Sequence, residues 1–302
     1  MMKDLILVVG LCGESVFMKV DHFHQDGETI IVDELHKEPG GKGYNQAVTT
    51  KSLGVNTVFI GSIGHDDSGK MCSKYLDEMN IINGLITKNN CFSAYATILV
   101  DKNGNNNVSV YSGASTELTI DDIENNEHLF QRSKILLLQF EISQIILEKC
   151  VEIAKKYDVK IIVNPAPYKE YGKNIIKDAF VITPNFHEAK KLFNLDNDIT
   201  LDELAISLVN KNIKNIIVTL GKEGIMVIED GESIYLPADI KDQNKVVDTT
   251  GAGDVFNGAL AVGLYNNLTL LEAAKYAMKA SSYSIQRKYV LPSIPKVEDI
   301  NG

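Results

Sequence analysis

The sequence predicts an α/β fold: a doubly wound, mostly parallel sheet with helices on both faces, plus a small projecting β-sheet lid. Short continuous Val/Ile/Leu runs alternate with amphipathic stretches along the chain, as strands covered on both faces by intervening helices do. Residues 15–37 and 92–112 break that rhythm by alternating apolar with polar positions, the pattern of half-exposed antiparallel strands. The chain has 302 residues, 44% of them hydrophobic, which suits a single α/β domain spanning 1–302 with a full core.

Leu5–Val9 (LILVV) reads as the first core strand. The stretch MMKDLILVVG is too short an apolar run for a secretory segment and lacks a small-residue cleavage pattern. Lid strands within 15–37 follow, then a helix over 43–53 entered through a glycine turn. Thr57–Ile60 is the next buried run, and helix 67–79 begins behind Asp66, a residue type suited to a helix start. Within 92–112, Asp101–Asn107 (DKNGNNN) has the composition of a hairpin turn. Buried strands at Ile135–Leu138, Lys160–Val163, Phe180–Thr183 and Ile216–Leu220 then alternate with helices over 143–157, 186–193 and 201–211. Helices 252–265 and 269–286 complete the pattern.

Thirty basic side chains against forty acidic ones give a net charge of −10, and only Arg132 and Arg287 are arginines. That balance argues against a nucleic-acid clamp or an anionic-membrane binder, which need a positive face. It leaves room for an anionic small ligand held by a few local donors. Cys12, Cys72, Cys91 and Cys150 lie far apart with no CxxC, the spacing of reduced thiols in a cytoplasmic protein. No apolar run approaches the ~18 residues of a membrane span.

Two motifs imitate known sites. Gly64–Lys70 (GHDDSGK) has the spacing of a P-loop, but Met71 stands where a magnesium-ligating hydroxyl is needed, and Asp66 and Asp67 would repel phosphate. A strand-to-helix turn fits it better. After the first strand, Gly10 and Gly13 do not make the GxGxxG dinucleotide fingerprint. His22, His24 and His36 fall in the lid and read as solvated or pocket-lining histidines rather than metal ligands.

The strongest chemical feature is Asp248–Asp254 (DTTGAGD), followed at once by the apolar helix 255–265. Small residues at Gly251, Ala252 and Gly253 let backbone N–H groups approach an anion at a helix start, where the dipole also favours one. Asp254 lies beside that anion hole. It reads equally as a base for an attacking hydroxyl or as an acidic complement to the helix dipole. Pro39–Ala47 (PGGKGYNQA) is a glycine-dense turn that offers an ammonium and an amide to a polyhydroxylated ligand. Ile216–Gly224 (IIVTLGKEG) is a buried strand breaking into a glycine turn, as nucleotide pockets at strand ends do.

Five segments in this order resemble the ribokinase-like (PfkB-type) carbohydrate kinases over essentially the whole chain: GGKGYNQAV, Gln139–Glu141 (QFE), Asn164–Pro167 (NPAP), Thr183–Glu188 (TPNFHE) and DTTGAGDVFNGAL. The resemblance implies transfer of the γ-phosphoryl group of MgATP to a sugar hydroxymethyl. Asp254 matches the base, and Gly251, Ala252 and Gly253 match the anion hole. Gly13, Glu14, Ser15, Gly40, Gly41, Lys42, Asn45 and Glu141 fall at sugar-contacting positions. Asn185, Thr219, Leu220, Gly221, Gly224, Gly253 and Met278 fall on the nucleotide side. Glu188 matches a residue that organises Mg²⁺ through water. Asp248, Thr250, Ser284, Arg287, Tyr289 and Ser293 match a K⁺ site built mostly from carbonyls. The resemblance also points to a homodimer formed through the lid.

Two departures shape the expectations. Ribokinases present an Asn and an Asp after the first strand where this chain has Gly13 and Ser15, so ribose should be held weakly, at a cost of ~1–3 kcal/mol per unmade bond. Glu14, between them, is placed to take over. Tyr289 stands where the cation loop has a glycine. Alternative acceptors are fructose, a 2-keto-3-deoxy sugar acid or a nucleoside. A non-catalytic sugar- or nucleotide-binding regulator is the reading from another class, and the intact Asp254 argues against it.

Overall fold

The computed structural model describes residues 3–102, 105–196, 198–210, 215–238 and 246–301. Its main sheet has nine strands. In chain order these are β1 (Leu5–Val9), β4 (Thr57–Gly64), β5 (Ile82–Lys88), β8 (Ser133–Gln139), β9 (Lys160–Asn164), β10 (Val181–Ile182), β11 (Asn215–Thr219), β12 (Gly224–Glu229) and β13 (Glu232–Pro237). Four further strands, β2 (Gly13–Lys19), β3 (Glu34–Gly40), β6 (Ala94–Val100) and β7 (Asn106–Tyr111), form the lid. The main sheet runs β13-β12-β11-β10-β9-β8-β1-β4-β5. All of its pairings are parallel except β11–β12 and β12–β13. The strand order reverses at β1, which has β8 on one side and β4 on the other. In such sheets the crevice beyond the strand C-termini at that reversal is where ligands bind.

The helices are α1 (Lys42–Ser52), α2 (Asp67–Glu78), α3 (Ile120–Glu124), α4 (Glu127–Arg132), α5 (Gln144–Lys156), α6 (Gly172–Ile176), α7 (Phe186–Phe193), α8 (Leu201–Asn210), α9 (Ala252–Tyr265), α10 (Leu270–Ser284) and α11 (Val297–Asn301). The central strands separate two cores. Leu5, Leu7 and Val9 of β1 pack with Leu136 and Leu138 of β8 toward α5, α7 and α8. Ile6 and Val8 pack with Ile135 and Leu137 toward α1, α2, α9 and α10. The uninterrupted apolar runs thus reflect burial on both faces of a period-two strand. On the second face α1 and α9 approach closely: a Cβ at Gly258 would lie 2.5 Å from Cβ of Thr49. That contact brings the starts of α1 and α9 together.

Several expected boundaries shift. Thr57–Ile60 extends to Gly64, while Phe180–Thr183 contracts to Val181–Ile182. β5, β12 and β13 lie outside the expected strands. β5 and β13 are edge strands with mixed, partly exposed faces, and the apolar run of β12 begins inside the glycine turn. The lid has the order β3-β2-β6-β7. It is not antiparallel throughout, because β2 and β6 pair in parallel from Gly13↔Ala94 to Lys19↔Val100. The chain passes through β3, α1, β4, α2 and β5 between them and returns in the same direction. Strand structure within 15–37 is confined to β2 and β3, and residues 20–33 carry none. β6 and β7 pair as the arms of a hairpin; residues 103 and 104, within the expected turn, and residue 211, at the expected end of α8, lie outside the described residues.

The look-alike motifs have structural roles. Asp66 caps α2 by accepting from the Gly69 N–H at 2.8 Å, and it also accepts from the Ser93 amide and hydroxyl. His22 pairs with Asp21 and Glu28, and among the described residues no group of three or more His, Cys, Asp or Glu is placed to hold a metal. All four cysteines are free thiols. Among the described residues no helix is long and apolar enough to cross a membrane.

Candidate active site

α9 starts on Gly251, which takes a φ of 76°, and Cγ1 of Val290 would lie 2.5 Å from a Cβ there. Both the left-handed backbone and the contact demand glycine. No side chain caps the helix; the Ala252 N–H turns back onto the Thr249 carbonyl at 3.2 Å, which leaves the N–H groups of Gly251 and Gly253 for a ligand.

Two cavities meet at this turn. One, of about 170 Å³, lies between the lid and the C-terminal ends of the central strands. Gly13, Glu14, Ser15, Gly40, Gly41 and Lys42 line it on one side, Asn45, Glu141 and Asp254 at its base, and Phe17, Ile98, Val108 and Val110 roof it. The other, of about 320 Å³, lies between β11–β12 and α10. Thr219, Gly221, Gly224, Gly253 and Met278 line it as expected, joined by Phe256 and Ile285. Residues of one turn divide between the two spaces: Thr250, Gly251 and Asp254 face the smaller cavity, and Thr249, Ala252 and Gly253 the larger.

Asp254 is 6% exposed. Its Oδ2 accepts from Asn45 Nδ2 at 2.9 Å and its Oδ1 from Gln46 Nε2 at 3.4 Å. Burial raises its pKa, against the pull of Lys42 and of these two amides. Glu141 accepts the Lys42 backbone N–H at 2.8 Å. Burial pushes Glu141 up to about 7 against the attraction of Lys42, and the neighbouring Asp254 adds to the rise. Burial alone would lower the Lys42 ammonium, but the charges of Asp254, Glu141 and Glu188 outweigh it and hold Lys42 above its ordinary value. The cluster is therefore a buried cation facing carboxylates that resist ionising together. Oδ1 of Asn45 is buried with no partner, an acceptor waiting for a donor from the cavity.

Other expected residues sit differently. Glu14 borders the smaller cavity, but its Oε1 lies 2.9 Å from Lys37 Nζ and its Oε2 accepts from Ser68 Oγ at 2.5 Å, so it fastens the lid to α2. Leu220 lines neither cavity and packs on the core. Asn185 caps α7: its Oδ1 accepts from the Glu188 N–H, and Glu188 Oε2 accepts from the Asn185 N–H, both at 2.9 Å. This leaves the other Glu188 oxygen outside the capping box, and burial raises its carboxyl. Asp248 accepts from the Thr250 N–H at 2.9 Å and from the Tyr289 N–H at 3.0 Å, drawing the two loops together. The hydroxyls of Ser284 and Ser293 donate to the carbonyls of Ser281 and Val290. Arg287 stacks its guanidinium on the Tyr283 ring. Tyr289 adopts φ 66°, the backbone a glycine would take.

The sequence reading missed a line of buried amides behind the site. Gln139 Nε2 donates to Gln46 Oε1 at 2.6 Å, and Gln46 Nε2 faces both Asn164 Oδ1 and Asp254. Asn164 Nδ2 donates to the Thr183 carbonyl, the Thr183 hydroxyl to Asn257 Oδ1 at 2.6 Å, and Asn257 Nδ2 to the Gly253 carbonyl at 2.8 Å. Each polar residue lies at a strand end or on the buried face of a helix. Uncharged side chains in apolar runs were the available signal.

The description "pfkB family carbohydrate kinase" fits residues 3–297. The chain is 34% identical over 98% of its length to the bifunctional ribokinase/ribose-5-phosphate isomerase A of Fructilactobacillus sanfranciscensis, and spans 55% of that protein. Among solved structures, a Thermotoga maritima ribokinase superposes with a TM-score of 0.86 at 34% identity, covering 98% of each chain. An Arabidopsis thaliana ribokinase complexed with ribose and ATP gives 0.86 at 25% identity, covering 100% of this chain and 98% of that one. With a buried carboxylate and an open helix start between two cavities, and with that match from end to end, the chain belongs to the pfkB family of carbohydrate kinases, phosphotransferases with a sugar as acceptor.

Proposed function

We propose that this kinase moves the γ-phosphoryl group of ATP onto the hydroxymethyl of a ribose-type sugar, with Asp254 as base. The observation that carries the reading is the shared turn: a group leaving the larger cavity past Ala252–Gly253 arrives beside Asp254 in the smaller one. The sugar lies on Lys42, Asn45 and Glu141 under the lid, with the free Asn45 oxygen accepting one of its hydroxyls. Asp254 takes the proton of the hydroxymethyl as the new P–O bond forms. The N–H groups of Gly251 and Gly253 hold the transferring group's oxygens as charge builds on them. The nucleotide occupies the larger cavity, with its base against Met278 and Ile285.

Two ions belong to this reading. The Glu188 oxygen outside the capping box and the α7 start at Asn185 suit Mg²⁺ held through water; bound there, the ion would neutralise phosphate charge. Carbonyls of Asp248, Thr250, Ser284, Arg287, Tyr289 and Ser293 suit K⁺, since Asp248 already closes that loop and Tyr289 keeps the glycine-like path. On the lid's outer strand β7, Tyr111 points away from the face that Val108 and Val110 turn to the cavity and is 57% exposed, which supports a homodimer through the lid. Light scattering that returns the monomer mass at micromolar concentration refutes that pairing.

Asp254→Asn keeps the shape and removes the base. With ADP release measured on a panel of ribose, deoxyribose, fructose, 2-keto-3-deoxygluconate and adenosine, kcat on the best acceptor should fall ~10²–10⁴-fold. A folded variant within threefold of wild type would leave Asp254 as a helix-dipole residue and end this mechanism.

A further inference from the structure

One face of lid strand β3 grips the loop that follows α10 with three successive inward residues. Glu34 Oε1 accepts from the Tyr289 hydroxyl at 2.5 Å, and Lys288 reaches the same carboxylate at 3.4 Å. The His36 ring stacks on Tyr289 at 3.8 Å between centroids, 16° from parallel, and Phe17 of β2 packs edge-on against it at 5.4 Å. Glu38, 5% exposed, takes the Val290 and Leu291 N–H groups on Oε1 at 2.9 and 3.3 Å, and His36 Nε2 lies 3.0 Å from its Oε2.

The gripped loop in turn touches the anion-hole turn at two points. The Val290 side chain fills the place of a Gly251 Cβ, and the Tyr289 N–H reaches Asp248, whose other oxygen takes the Thr250 N–H. Glu38 is also two residues from Gly40, where β3 runs into the turn that carries Lys42 and Asn45. A buried carboxylate that holds two main-chain N–H groups is a stiff anchor, because releasing it leaves charge and donors unsatisfied.

We propose that Glu38 is a positioning residue that fixes the 289–291 loop against Gly251 and so sets the anion hole relative to the sugar-bearing turn. The proposal rests on the reading of Gly251–Gly253 as the anion hole. Glu38 touches neither ligand cavity, and it acts through Val290 and Tyr289.

The test pairs Glu38→Ala with Glu38→Gln, which keeps an acceptor oxygen for the Val290 and Leu291 amides. Glu38→Ala should lower kcat ~10–100-fold with KM for ATP within threefold, and Glu38→Gln should recover to within about fivefold of wild type. Hydrogen exchange at amides 249–254 should quicken at least tenfold in Glu38→Ala while β1, β8 and β9 stay protected as in wild type. General loss of protection would make Glu38 a plain stability residue and overturn the proposal. So would unchanged exchange at 249–254, or faster exchange with unchanged kcat. Asp254→Asn in parallel keeps the readings apart. If it stays active, the anion-hole reading fails; if it is inactive while Glu38→Ala is not, only the role of Glu38 is lost.

Discussion

The smaller cavity holds, at its base, an amide beside an ammonium and two carboxylates whose burial and mutual charges shift their titration, whereas the larger is walled by Ile225, Phe256, Met278 and Ile285, with Lys222 at its edge. The first environment is costly to build. Lys42, Glu141 and Asp254 are desolvated together, and the Lys42 ammonium offsets the burial of two carboxylates that oppose each other's ionisation. The second costs little, and it supplies adhesion through apolar contact. Chemistry should therefore depend steeply on single atoms of the smaller cavity, and affinity should depend gradually on surface area in the larger.

The largest effect separating the two is removal of the Asp254 carboxylate. Its ~10²–10⁴-fold loss should fall on kcat, with KM for ATP within threefold of wild type. A matching rise in that KM would mean the two cavities are not independent. An intermediate effect should follow Met278→Ala, which removes a wall of the larger cavity. KM for ATP should rise about tenfold, the equivalent of ~1.4 kcal/mol, with kcat within threefold. A fall in kcat larger than the rise in KM would show Met278 shaping the transition state.

The smallest effect concerns protons. Glu141 titrates near 7 in the folded protein against an ordinary value of 4.5. Between these values the folded state holds the extra proton, so this group's contribution to stability declines as pH rises from about 4.5 to 7 and then levels off. Glu141→Gln cannot titrate. Its melting temperature should gain a few degrees on wild type between pH 5 and 7.5, measured by calorimetry without ligands. Parallel curves for the two proteins would show that the Glu141 site is wetter than its burial implies.

The readable parts of the fold were those with strong periodicity. α9 matches the expected span 252–265 residue for residue, because an apolar helix with a glycine start leaves little freedom. Strand β1 matches for a similar reason, being apolar at all five positions. β13, whose residues are mostly exposed, carries no such imprint, and the parallel β2–β6 pairing depends on a crossover that local alternation does not encode. In the site, Lys42, Asn45 and Asp254 were legible as charge and amide beside glycines. Glu14 was legible as a carboxylate bordering the smaller cavity, but its commitment to Lys37 and Ser68 required knowing that β2 passes over α2. Glu38 and Gln46 gave no sign of their contacts with Val290 and Asp254, which lie more than 200 residues away.

The Asn45–Asp254 hydrogen bond spans 209 positions of sequence. Translation at roughly 5–20 residues per second puts about 10–40 s between synthesis of its two ends. Through that interval the glycine turn, Lys42 and the first lid strands exist without the helix that completes them. A nascent chain therefore lacks this pairing until α9 emerges, and closures over so long a stretch of chain are intrinsically slow. A ribosome stalled short of α9 would display the Lys42 turn and the lid with one wall of the smaller cavity still missing.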